Sequence, residues 1–230
     1  MEKGLTPQIT PFNLNEVERL LKTRRSVRLY KKDDVADDVI KKIVDLAHWA
    51  PSGMNAQPWR FVIIKDKNLI EEIRKVTVKW MELLMKIFTK KGLHWKLMKF
   101  LYKIFAPGMF ATIEPRVLQG MRGLTEIKNT DVLLKAPVLI IILGNKRSNT
   151  WLEDCSAATQ NLALAAHAMG LGSCWIGFAE KLIPFAPGLK KKLGIKSPLV
   201  LATVSTLGYP IVDYGRKIIE RDDPEVVWMK

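Results

Sequence analysis

Pro51-Ser52-Gly53-Met54-Asn55-Ala56-Gln57-Pro58-Trp59 divides a helical pattern from a strand pattern, and the rest of the chain reads outward from it. Before it, Ile40, Ile43, Val44 and Ala47 recur at helical spacing across Asp37 to Trp49, and Pro51 follows because its ring cannot continue a helix. After it, Trp59 to Ile64 is a short apolar run rich in β-branched and aromatic residues, the composition of a strand. The loop itself is chemically equipped. Gly53 permits close backbone approach, while Ser52, Asn55 and Gln57 offer neutral donors and acceptors. A heteroaromatic ring with alternating N–H and C=O groups calls for such a set, although a plain structured connection uses the same residues.

Upstream, Asn15 with Glu18 three residues later has the form of a capping box, and Val17, Leu20 and Leu21 give the following helix an apolar stripe. That helix is expected to end near Lys22 and deliver the chain to Arg24-Arg25-Ser26-Val27-Arg28. Three guanidiniums and a hydroxyl suit a phosphate or a carbonyl edge, since arginine forms bidentate contacts. Alone, the cluster reads more simply as a solvated basic turn.

Downstream, Asp66 to Val76 predicts a short helix. From Trp80 to Phe105, Trp80, Leu83, Leu84, Ile87 and Phe88 share one helical face, and Leu93, Leu97, Met98, Leu101 and Phe105 continue it after Gly92. This basic amphipathic insertion, at about 79–123, has three readings: a hairpin packed on the body, a lid over a substrate pocket, or a membrane-docking surface. Ala136 to Gly144 predicts a central strand, Asp154 to Met169 a helix, and Leu199 to Leu207 the last strand. Ala157, Ala158, Ala163, Ala165, Ala166 and Ala168 would let another helix approach that helix closely, and Gly170-Leu171-Gly172 ends it. A tail over 211–230 finishes in Val226-Val227-Trp228 and is expected to dock. Strands separated by helices indicate an α+β or α/β fold.

At 230 residues the chain reads as a single domain, 1–230, able to bury a substantial core. Its 48% hydrophobic and 26% charged residues exclude wholesale disorder. Much of the net charge of +14 sits where Lys79, Lys86, Lys90, Lys91, Lys96, Lys99 and Lys103 face the single acid Glu82. Such charge serves nucleic acid, anionic lipid or an anionic cofactor. The lysines lack the aromatic interleaving of a nucleic-acid platform, so no nucleic-acid partner is expected, while peripheral membrane contact through the basic helices stays open. Cys155 and Cys174 are too few for a disulfide framework, and no apolar h-region follows a basic start, so a cytoplasmic location is expected. His48, His94 and His167 lack partners at ligand spacing, so no metal is expected. No Walker loop and no dinucleotide-binding glycine motif occurs. Most of the seven tryptophans fall in apolar patterns and are expected in the core.

Together and in this order, the motifs resemble the nitroreductase family: a basic-basic-Ser-x-basic opening, a helix, then a Pro-Ser-x-x-Asn-x-Gln-Pro-Trp loop entering a strand. The resemblance spans about Val17 to Pro210, through Ala136-Pro137, Gly170-Leu171-Gly172-Ser173-Cys174-Trp175-Ile176-Gly177 and Leu207-Gly208-Tyr209-Pro210. It implies an α+β sandwich with a mixed central β-sheet flanked by helices, intertwined as a homodimer with FMN at the subunit interface. It also implies roles by position. Arg24 and Ser26, with Arg25 beside them, would hold the FMN phosphate and ribityl chain; Arg28 would stand at the pyrimidine edge of the isoalloxazine. Pro51, Ser52, Gly53, Asn55 and Gln57 would reach the flavin from the partner subunit, and Trp175, Ile176 and Gly177 would lie against one ring face. Asn129 is a candidate near the ring edge; Arg216 and Lys217 are candidates for a second phosphate clamp, with Arg221 the alternative because the tail spacing departs from several members.

The resemblance further implies NAD(P)H as transient hydride donor, a ping-pong cycle, and a nitroaromatic, quinone or flavin as acceptor. No protein acid, base or nucleophile is then required. A cation at the pyrimidine edge would stabilise charge on the reduced ring by several kcal/mol at an effective dielectric of about 20. Reductive dehalogenation and flavin modification remain alternatives within the fold. Outside it stands a basic membrane-surface or nucleic-acid-associated protein that keeps flavin as a structural element.

Overall fold

The computed structural model describes residues 13–89, 96, 100, 131–212 and 221–229. Its centre is β2 (Val138–Asn145), whose side chains are buried on both faces. Val138, Ile140 and Ile142 point to one side and Leu139, Ile141 and Leu143 to the other, so the run is apolar throughout rather than alternating. β1 (Trp59–Ile64) pairs with it antiparallel on one flank and β4 (Leu199–Gly208) antiparallel on the other. β3 (Gly172–Trp175) completes the order β1-β2-β4-β3, again antiparallel. The sheet becomes mixed at its outer edge, where Ser26 bridges Ser173 in parallel.

Helices cover both faces. On one side α2 (Asp37–His48) and α4 (Trp151–Ala168) bury Ile40, Ile43, Ala47, Leu162 and Ala166 against Val138 and Ile140. Asp37 and Asp38 in the first turn of α2 complement the positive end of its dipole. On the other side α3 (Lys67–Thr89), α5 (Gly177–Leu182) and α6 (Pro187–Lys192) bury Ile73, Met81, Leu182 and Leu189 against Leu139, Ile141 and Leu143. The result is the three-layer α+β arrangement expected from the chain. No helix among the described residues is long and apolar enough to cross a membrane.

Four expectations are corrected. The cap of α1 (Leu14–Thr23) is Asn13 rather than Asn15: from extended backbone its Oδ1 accepts from the Asn15 N–H at 3.2 Å, which leaves Asn15 inside the first turn. The short helix expected to stop at Val76 runs on to Thr89, because the chain holds no glycine or proline there before Gly92. Beyond Thr89, the basic insertion lies outside the described residues except for Lys96 and Phe100, both helical and exposed. α4 begins at Trp151, three residues before the expected start, which places Asp154 in its first turn facing inward. Finally, the tryptophans expected mostly in the core divide evenly: of the six among the described residues, Trp49, Trp175 and Trp228 are 78%, 45% and 80% exposed in this single chain.

Candidate functional site

Arg24 to Lys31 leaves α1 and runs along the β3 edge. Val27 N–H donates to Ser173 O at 3.0 Å and Lys31 N–H to Tyr209 O at 2.8 Å. The approach is close enough that a Cβ on Gly172 would stand 2.5 Å from Val27 Cβ, so only glycine fits. Beneath the segment, the buried Tyr30 hydroxyl donates to Val27 O at 2.8 Å and lies 2.7 Å from Thr206 Oγ1, which donates to Cys174 O at 3.2 Å. Arg24, Arg25 and Ser26 are half-buried and Arg28 is exposed. Among the described residues, no carboxylate pairs with Arg24, Arg25 or Arg28.

The positive field of this edge registers on two neighbours. Burial pushes the Cys174 thiol above its usual value, and Arg28, a hydrogen bond with Ser26, and Arg24 pull it back. Burial lowers His167, and Arg24 and then Arg25 lower it further, since guanidiniums disfavour a third positive charge beside them. His167 also joins α4 to α1. The Thr23 hydroxyl donates to Arg19 O at 2.6 Å, so His167 Nε2 is the donor in its 2.9 Å bond to Thr23 Oγ1.

The Pro51–Pro58 loop is built differently. Met54, Asn55 and Gln57 take left-handed φ values of 54°, 55° and 45°, a conformation uncommon for residues with a Cβ. Side-chain hydrogen bonds hold it. Gly53 N–H donates to Asp154 Oδ1 at 3.2 Å, and Thr150 Oγ1 donates to Asp154 Oδ2 at 2.9 Å. Gln57 N–H donates to Ser52 Oγ at 3.0 Å, and Gln57 Nε2 to Asn55 Oδ1 at 2.9 Å. A Cβ on Gly53 would sit 2.5 Å from Thr150 Oγ1. Met54 at the tip is fully exposed.

Trp175, Ile176 and Gly177 join β3 to α5, directly beside the Ser26–Ser173 bridge. The structure therefore brings Arg24, Arg25, Ser26 and Arg28 together with Trp175, Ile176 and Gly177 at one sheet edge. It does not bring Pro51, Ser52, Gly53, Asn55 and Gln57 to that edge within one chain. The loop is anchored at Asp154 and the basic segment at His167, thirteen residues further along α4, which is about 20 Å of helix. Asn129, Arg216 and Lys217 lie outside the described residues, and Arg221 is exposed.

Sequence reading missed the residues that hold these parts in place. Asp154, Thr150, Thr23, His167 and Glu180 all act through partners distant in sequence or one turn away. The only local signal was Asp154 followed by Cys155, a polar residue opening an alanine-rich helix.

Among solved structures, an FMN-bound nitroreductase of Desulfitobacterium hafniense matches 93% of this chain and 99% of its own, with a TM-score of 0.67 at 20% identity. The fold and the edge site thus define a nitroreductase-type α+β sandwich. The chain belongs to the nitroreductase family, whose sequence model matches residues 21–209. Two relatives are similar along most of their length. A protein of Archaeoglobus fulgidus, provisionally named an NADH dehydrogenase/NAD(P)H nitroreductase, is 28% identical over 86% of this chain and 87% of its own. Iodotyrosine deiodinase of Thermotoga neapolitana is 27% identical over 83% of this chain and 87% of its own.

Proposed function

We propose that this chain is an FMN-dependent oxidoreductase that passes hydride from NAD(P)H through bound FMN to an electron acceptor in a ping-pong cycle. We further propose that it works as a homodimer with FMN at the subunit interface. The observation that carries the reading is the division of the site. The basic segment and the polar loop stand at opposite ends of α4, about 20 Å apart, so one ligand meeting both needs two chains. Exposed Leu14, Leu21, Trp49 and Met54 supply apolar surface for such a pairing.

The residues present fit the cofactor. Arg24 and Arg25 depress His167 and have no carboxylate partner among the described residues, which favours a phosphate dianion there. Bound FMN would supply the two-electron chemistry. Arg24, Arg25 and Ser26 would bind the phosphate and ribityl end, with Arg216 and Lys217 as proposed additions. Arg28 would place a cation at the pyrimidine edge and favour the reduced ring. Trp175, Ile176 and Gly177 would back one face, and Ser52, Asn55 and Gln57 of the second chain would bond the ring edge. Asn129 is proposed at that edge as well.

The natural acceptor is proposed from the same classes as above: nitroaromatic, quinone or flavin. The deiodinase relative favours a second reading, reductive dehalogenation of an aromatic substrate, which a side-by-side assay with nitroaromatic and iodinated phenol acceptors separates. The shared site is tested by mixing subunits. Arg24→Ala and Asn55→Ala homodimers should each bind FMN poorly. Heterodimers formed by refolding them together should regain one intact site, because both lesions then fall on the other. No recovery on mixing would contradict the reading.

A further inference from the structure

Trp175 combines two properties that rarely occur together. Its indole is 45% exposed, yet its one polar atom is tied down: Nε1–H donates to Glu180 Oε2 at 2.7 Å. Exposed aromatic side chains ordinarily have no need of a fixed rotamer. Here the acceptor is itself held, for the Glu180 side chain is 10% exposed and its Oε1 lies 2.7 Å from Lys181 Nζ. The bond is charge-assisted and spans the turn from the end of β3 into α5, so it fixes the plane of the ring relative to the sheet edge. That edge is the one carrying Arg24, Ser26 and Arg28 through the Ser26–Ser173 bridge. A rigid, accessible indole face beside a basic cluster that has no carboxylate partner among the described residues is a stacking platform for a flat anionic ligand.

We propose that Glu180 is a positioning residue that locks the Trp175 indole in the orientation from which it stacks against the flavin ring. The inference rests on the FMN reading above and adds to it the residue that orients the ring's support. Glu180 itself touches no reacting atom. Removing the lock frees the indole to rotate, so the bound ring loses a partner of defined geometry while the phosphate contacts stay as they were.

The test is a double-mutant cycle on FMN binding, read by quenching of flavin fluorescence and by the visible circular dichroism of the bound flavin, with far-UV circular dichroism confirming the fold. Glu180→Leu should weaken FMN about tenfold, the usual size for losing one charge-assisted hydrogen bond, and should diminish the tryptophan near-UV signal of the cofactor-free protein. Glu180→Gln keeps an acceptor oxygen and should stay close to wild type. Trp175→Phe keeps a ring but no N–H, and in that background Glu180→Leu should add nothing further. Equal FMN affinity and flavin dichroism in wild type and Glu180→Leu would overturn the proposal. So would an undiminished effect of Glu180→Leu in the Trp175→Phe background, which would mean that Glu180 acts through the fold alone. Should Glu180→Leu fail to fold, the same comparisons are made with Trp175→Phe and Glu180→Gln, and a Gln variant as damaged as Phe overturns the assignment. A wild-type protein that takes up no FMN would instead remove the underlying functional reading.

Discussion

Replacing Asp154 with alanine strikes the polar loop without touching it. The carboxylate is 6% exposed and accepts from the Gly53 N–H at 3.2 Å and the Thr150 hydroxyl at 2.9 Å. A hydrogen bond to an ionised acceptor contributes about 1.5–3 kcal/mol, and the longer of these two belongs at the low end, so a loss of about 3 kcal/mol is expected for the pair. Against it stands the strain of Met54 and Gln57, whose left-handed backbone costs roughly 1–2 kcal/mol each. The anchor and the strain are comparable, so without Asp154 the loop leaves its observed path in most molecules. Apparent FMN affinity scales with the fraction of competent loop, and it should fall by about tenfold or more. Tm should drop by roughly 6–12 °C, at about 2–4 °C per kcal/mol for a chain of this size. Asp154→Asn keeps one acceptor oxygen and should lie between the two. Urea denaturation gives the stability term and FMN fluorescence quenching the affinity. A folded Asp154→Ala protein that binds FMN within a factor of two of wild type would refute the claim that this anchor shapes a loop that meets FMN, as proposed.

Two further outcomes follow from close contacts and charge. Gly172→Ala puts a methyl where Val27 already stands and should cost about 1–3 kcal/mol by overpacking, while also shifting the Arg24–Arg28 segment and weakening FMN; unchanged urea midpoint and FMN affinity would contradict this. His167 is held below its ordinary 6.5, so the unfolded chain takes up that proton first; stability is intact above about pH 6.5 and declines as pH falls from there toward the lower folded value. FMN phosphate beside Arg24 and Arg25 should lift the folded value and shrink the decline. His167→Gln should lose this part of the pH slope; an identical slope in variant and wild type would sink the argument.

β1 and α2 were readable to the residue or nearly so because prolines bracket the loop between them and their periodicities differ. β2 was readable because the six-residue apolar run from Val138 to Leu143, just after Pro137, suits a strand buried on both faces. The predicted stop of α3 at Val76 fails because no glycine or proline follows before Gly92, and the helix continues to Thr89. The site divided along the same line. Arg24–Arg28 and Pro51–Trp59 stand out by residue type, and the proposed site is assembled from those two segments. Their supports are contacts such as Thr23 with His167 and Gly53 with Asp154, separated by 144 and 101 residues. No local pattern encodes those. The general expectation that most tryptophans are core misses the exposure of Trp49 and Trp228, because sequence registers apolarity but not which apolar faces remain open.

The central claim is that this chain binds FMN and accepts reducing equivalents from a nicotinamide donor. Anaerobic titration of the FMN-loaded protein with NADH and with NADPH, followed by flavin absorbance, tests it most directly. The account predicts that at least one donor bleaches the bound flavin stoichiometrically and that a nitroaromatic or quinone then restores the colour. A protein that cannot be loaded with FMN, or whose bound FMN neither donor bleaches, would contradict it.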